Sequence, residues 1–215
     1  MEHHALDERH ELSQALRAAG PDAPTLCGEW TTAVLAAHLV QRERSLVEAA
    51  GRLPVGSLRR RADEALHELA ERTPYDQLVA AVDSGPPFYS PWALAPLREA
   101  VNLLEYVVHH EDVRRAVPGT GPRAMPIARQ RAIWSRLRLS APFTMRAVPV
   151  GVRLLWPGHG EILTRRAKHG FPVVTVGGEP VELALVAFGR QRVAQVDYDG
   201  SAADVATVSG AKIRI

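Results

Sequence analysis

Glu105 and His109 lie four residues apart in "NLLEYVVHHEDVRRA", residues 102 to 116, inside an otherwise apolar run. On a helix, residues four apart share a face, so this carboxylate and imidazole point the same way, while His110 is rotated about 100° from His109. Their neighbours include Val101, Leu104 and Val108, among which an unpaired carboxylate is costly to bury. A divalent metal would remove that cost. It needs a third ligand, and His38 in "VLAAHLV" is the best candidate, an imidazole on a face that otherwise carries Val34 and Leu35. Two histidines and one carboxylate, with a position left for water or substrate, form the ligand set of many catalytic zinc sites and some iron sites. Plainer readings stand beside this one. A single His such as His38 is often a hydrogen-bonded core residue, and Glu-x-x-x-His also describes a simple exposed pair. His110 competes with His109 as a ligand. Asp112 or Glu111 is the natural acceptor for the second ring N–H of a metal-bound histidine, with salt bridges to Arg115 or Arg114 as the competing use.

The remaining candidates carry less. Cys27 is the only cysteine, which rules out an intrachain disulfide and a multi-thiolate zinc site and suits a reducing compartment. Its place near the start of a helix could lower its pKa; a small buried cysteine is the plain reading. His3, His4, His10 and His67 have no informative spacing, and His159 lies in a turn. Net charge is +2, yet no acid occurs between Asp112 and Glu161, where nine arginines fall: Arg114, Arg115, Arg123, Arg129, Arg131, Arg136, Arg138, Arg146 and Arg153. Such a stretch is either a solvated face or a basic wall for an anionic substrate or nucleic acid. No helix-turn-helix, zinc-finger or single-strand-binding pattern accompanies it, so nucleic acid is a minor expectation. Of the 26 basic residues, 24 are arginine, as in proteins from GC-rich genomes. The charged opening "MEHHALDERHELSQAL" is unlike a signal peptide, and no run of about 18 apolar residues occurs. A cytoplasmic protein without a membrane partner is expected.

These residues need elements to hold them. Leu6, Leu12 and Leu16 predict a helix over about 5 to 19, ended by "AAGPDAP". A second runs from Thr31 or Thr32, as N-cap, to Gly51 and carries His38. A third covers about 61 to 83 around Leu66, Leu69, Leu78 and Val79, with a break at "RTP". After the proline-rich "SGPPFYSPW", the fourth, about 94 to 116, bears Glu105 and His109. Four such segments suggest an antiparallel bundle. A linking helix over about 126 to 140 follows. Strand patterns then take over: "VGVRLLW" and "EILTRR" read as a hairpin, "FPVVTV" and "VAQVDYD" as strands, and "EPVELALVAFGR" as a helix from Glu179 and Pro180 to Gly189. The expected class is α+β, with a helical bundle over 1–142 and a small α+β domain over 143–215.

The segments "GPDAPTLCGEWTTAVLAAHLVQRERS", "SGPPFYSP" and "NLLEYVVHHEDVRRAVPG" together resemble the DinB-like superfamily, in particular actinobacterial metal-binding proteins related to mycothiol-dependent maleylpyruvate isomerase. "GGEPVELALVAFGR" is similar to their sterol carrier protein-like C-terminal region. The resemblance implies a four-helix bundle with a divalent metal, usually zinc, held by His38, Glu105 and His109. It also implies thiol chemistry, in which the metal binds and deprotonates mycothiol or a related small thiol. The "HHEDVRR" that follows the glutamate differs from the isomerase, so the substrate does not carry over.

Three functional classes follow: a thiol-dependent transferase or isomerase acting on a small electrophile, a metal-dependent hydrolase, and a non-catalytic metal or small-ligand binding protein. The first expects a small-molecule thiol and an electrophilic, anionic substrate as partners, with Arg114 or Arg115 orienting the anion.

Overall fold

The computed structural model describes residues 3–44, 56–87 and 95–213. The chain forms two compact units, Met1–Thr120 and Gly121–Ile215.

The first unit is helical: α1 His4–Ala19, α2 Thr32–Arg44, α3 Gly56–Arg72, α4 Tyr75–Ser84 and α5 Ala95–Arg114. α1 packs along α5 and α4, and α2 packs on α3 and α4. The expected third helix is two, because Pro74 disfavours helical geometry at Thr73 and supplies no N–H to the ladder. Leu66, Leu78 and Val79 are buried as expected, while Leu6 and Leu69 are only half-buried. The expected run of the second helix to Gly51 and most of the proline-rich connection lie outside the described residues. α1 buries Ala5, Glu8, Arg9, Leu12, Ser13 and Leu16. That is one continuous helical stripe, half of it polar, which is why the apolar pattern alone under-reported it.

Between α1 and α2 a short loop is tied to both ends of the unit. Gly20, at φ +78°, ends α1, a conformation that glycine adopts without steric cost. The Thr32 hydroxyl donates to the Gly20 carbonyl, the Thr25 hydroxyl donates to Trp30 O at 2.7 Å, and Leu26 N–H donates to Asp112 O at 3.1 Å. The last bond pins the loop, with Cys27, beside the C-terminal half of α5.

The second unit holds α6 Ile127–Thr144, β1 Gly151–Trp156, β2 Gly160–Leu163, α7 Arg165–Lys168, β3 Val173–Gly177, α8 Pro180–Ala187, β4 Asp197–Asp199 and α9 Ala202–Ser209. The sheet order is β2-β1-β3-β4. β1 and β2 form the expected antiparallel hairpin, with Trp156 opposite Gly160; β3 runs parallel to β1 and β4 antiparallel to β3. Val152, Leu154, Trp156, Val174 and Val176 alternate inward as a half-buried sheet requires. α6 packs on α8 and β2, and Trp134 meets Trp156 edge-on at 5.9 Å. The helix expected as a linker therefore belongs to this unit, and the division falls after Thr120 rather than after residue 142. "VAQVDYD" supplies strand only at its last three residues, Asp197–Asp199. α9, capped by Ser201 accepting from Asp204 N–H at 3.2 Å, was not foreseen because its "AADVATVS" has too few large apolar residues for a helical stripe. The class is α+β, helix-rich in its N-terminal part.

Candidate metal centre

α5 presents Asn102, Glu105, His109 and Asp112 at spacings of three, four and three, which place all four on one stripe of a helix. α2 answers with His38 and Arg42, one turn apart. Where the stripes meet, His38 Nε2 lies 3.4 Å from Glu105 Oε1 and His109 Nε2 lies 3.3 Å from the same oxygen. The two imidazoles stand edge to face with centroids 5.5 Å apart, and the Trp30 ring lies 5.1 Å from that of His38.

These separations are long for hydrogen bonds, whose N–H···O distances centre near about 2.9 Å. They equal the edge of a coordination tetrahedron: donors bonded to zinc at about 2.0–2.1 Å lie about 3.3–3.4 Å from one another. The donor set, two imidazole nitrogens and one carboxylate oxygen, could hold a metal ion.

The surroundings complete the arrangement. His109 Nδ1 lies 2.9 Å from Asp112 Oδ2, so with its proton on Nδ1 the ring donates to the buried Asp112 and directs the Nε2 lone pair toward Glu105 and His38. The Cys27 thiol also donates to Asp112 Oδ2, at 3.1 Å, and its sulfur lies 3.7 Å from His109 Nδ1. Arg42 Nε lies 3.4 Å from Glu105 Oε1, and its Nη1 donates to Asn102 Oδ1 at 2.8 Å. Burial alone would raise the pKa of Glu105, but the Arg42 charge and the adjacent His109 and His38 imidazoles outweigh it and hold the carboxyl well below the ordinary carboxylate range. Burial likewise works against a charged His109, and the contacts with Asp112, Cys27 and Glu105 outweigh it, raising its pKa well above the ordinary value.

The structure thus brings His38, Glu105, His109 and Asp112 together. His110 turns the other way, its Nδ1 2.8 Å from Glu8 of α1, so it is not the ligand partner of Glu105. Glu111 is not the acceptor for His109, because it binds Arg115 Nε at 2.5 Å and Arg114 Nη1 at 3.0 Å. These are the salt bridges to Arg114 and Arg115 expected as the competing use of Glu111. Arg114 is nine residues from Glu105, about half a turn round α5, and both guanidiniums are held by the buried Glu111. Sequence reasoning missed Arg42, Asn102 and the placement of Cys27. The i+4 spacing of Arg42 from His38 and the i−3 spacing of Asn102 from Glu105 were available signals; the approach of Cys27 to α5 was not, because it depends on loop folding.

Two further groups could hold a metal among the described residues: Cys27, His109 and Asp112, and Glu8, Glu11 and His110. The first would use His109 Nδ1 and take away the carboxylate that orients the ring. In the second, His110 already pairs with the fully buried Glu8. The His38, Glu105 and His109 set keeps the Asp112 contact that orients the His109 ring, and a cation there would share Glu105 Oε1 with Arg42.

No protein-family model, curated protein or solved structure matches the chain.

Proposed function

We propose that the first unit binds one divalent metal, zinc by its donor set, through His38, Glu105 and His109, and serves a thiol-dependent transferase or isomerase reaction on a small electrophile. The observation that carries the metal assignment is the pair of 3.3 and 3.4 Å separations of the two Nε2 atoms from Glu105 Oε1, together with the Asp112 carboxylate behind His109. The thiol chemistry rests on the resemblance to DinB-like, mycothiol-dependent proteins. A cation with this ligand set and an open position lowers the pKa of a coordinated thiol, so that the thiolate is available as a nucleophile at neutral pH.

The chain's own residues prepare that position. Asp112 fixes the His109 tautomer, Arg42 keeps Glu105 ionised until a cation takes over as its counter-charge, and the Trp30 ring packs at a tilt against that of His38. The small thiol is of the mycothiol kind, and the DinB-like and sterol carrier protein-like identities of the two units belong to the same reading.

The test is a thiol titration of the protein reconstituted with cobalt. A sulfur-to-cobalt charge-transfer band and binding heat with mycothiol or a simpler thiol are expected. Cobalt bound without either signal leaves a metal-binding protein and removes the thiol chemistry.

A further inference from the structure

We propose that the C-terminal half of α6 is a docking surface for an anionic lipid bilayer. Leu139 is 76% exposed and Phe143 64% exposed, and at i and i+4 they adjoin on one face of the helix. Exposure of this degree means that the side chains stand out from the surface rather than line a groove. Two large apolar groups projecting together suit insertion among lipid headgroups and acyl chains, a medium that yields to a protrusion.

The charge along α6 and the chain on either side of it has one sign. Arg131, Arg138 and Arg146 are exposed, and no acid occurs between residues 113 and 160. Residues 121–215 carry 14 Lys and Arg against 6 Asp and Glu, while residues 1–120 carry 12 against 18. The basic character is therefore concentrated in the unit that carries the protruding pair, which complements a phosphatidylserine-type surface.

Arg146 decides between lipid and nucleic acid. Its guanidinium lies 3.8 Å from the centroid of the Phe143 ring and donates to Phe143 O at 2.8 Å. One face of the ring is thus covered, and Leu139, the other protruding group, offers no π-face for base stacking. A cation set at the base of an apolar anchor matches the headgroup level of a bilayer instead. No helix of the described residues is long and apolar enough to cross a membrane, so the contact is peripheral.

The experiment is vesicle co-sedimentation of the full chain and of the double variant L139D/F143D. Both positions are exposed, so the variant should keep its fold, as checked by circular dichroism. Binding to phosphatidylcholine vesicles containing about 30% phosphatidylserine is expected, with loss on raising the salt and none to pure phosphatidylcholine vesicles. The double variant should bind at least about tenfold more weakly. Equal binding by the two proteins, or none by either, overturns the proposal. So does binding of a single-stranded oligonucleotide in place of vesicles, or a dimer in solution that the double variant alone abolishes. None of these readouts depends on the metal centre.

Discussion

The His109 ring is held by Asp112 through Nδ1 at 2.9 Å, and the same Asp112 carries the only cysteine on its Oδ2. One buried carboxylate therefore sets the orientation of a candidate ligand and the position of the neighbouring thiol. Replacing Asp112 by Asn keeps the size and leaves the backbone bond from Leu26 in place, but removes the negative charge that favours the Nδ1–H tautomer. Zinc affinity should fall about 10- to 100-fold, read by competition with a chromophoric chelator. An unchanged affinity would remove the orienting role.

Alanine at His38, Glu105 or His109 should each lower the metal content of the purified protein severalfold, measured by elemental analysis. Metal ligands of this kind bind in their deprotonated forms, so affinity should weaken as pH falls and binding should release protons. His110→Ala is the control, because its ring faces Glu8. Full metal content in all three ligand variants would end the assignment; loss in His110→Ala alone would transfer it to the α1 face.

Much of this centre was legible because helical periodicity is a local property. The stripe of Glu105, His109 and Asp112 follows from spacing alone, and α2 and α5 begin or run where capping and apolar signals put them. What periodicity cannot give is the rotation of one helix against another. The pairs of Glu111 with Arg114 and Arg115, three and four residues on, are local, whereas whether His38 faces Glu105 is decided by packing between elements far apart in sequence. The same holds for α6, whose Ile133, Trp134 and Leu137 show that it buries a face without showing which unit covers it.

Asp83 gives a pH-dependent link between α1 and α4. Its pKa is lowered, chiefly by the hydrogen bond from His10 at 2.9 Å, against the opposing effect of burial and with help from Ser13. A carboxyl whose folded pKa is depressed contributes stability that is fully present above its unfolded pKa and is lost as pH falls through the folded value. Urea unfolding at a series of acidic pH values should therefore show a steeper loss of stability in the wild type than in Asp83→Asn. Parallel curves would show that Asp83 adds nothing. The site is partly exposed, so salt should narrow the difference.

Arg42 and the metal are alternative counter-charges for Glu105. In the metal-free protein the Arg42 guanidinium offsets a carboxylate that burial disfavours, and it is itself bonded to Asn102. Arg42→Met removes that charge and keeps most of the aliphatic volume, so the metal-free variant should be destabilised by about 3 kcal/mol, the scale of a broken buried pair. A cation seated on Glu105 would restore the missing charge. Excess zinc should accordingly raise the Tm of Arg42→Met by more than it raises that of the wild type, and metal affinity should hold or increase, since a like charge near the site is gone. A thermal-shift series with and without zinc separates the cases. If zinc stabilises the variant less than the wild type, Arg42 supports metal binding rather than substituting for it. If zinc shifts neither protein, Glu105 is a plain ion-pair partner of Arg42.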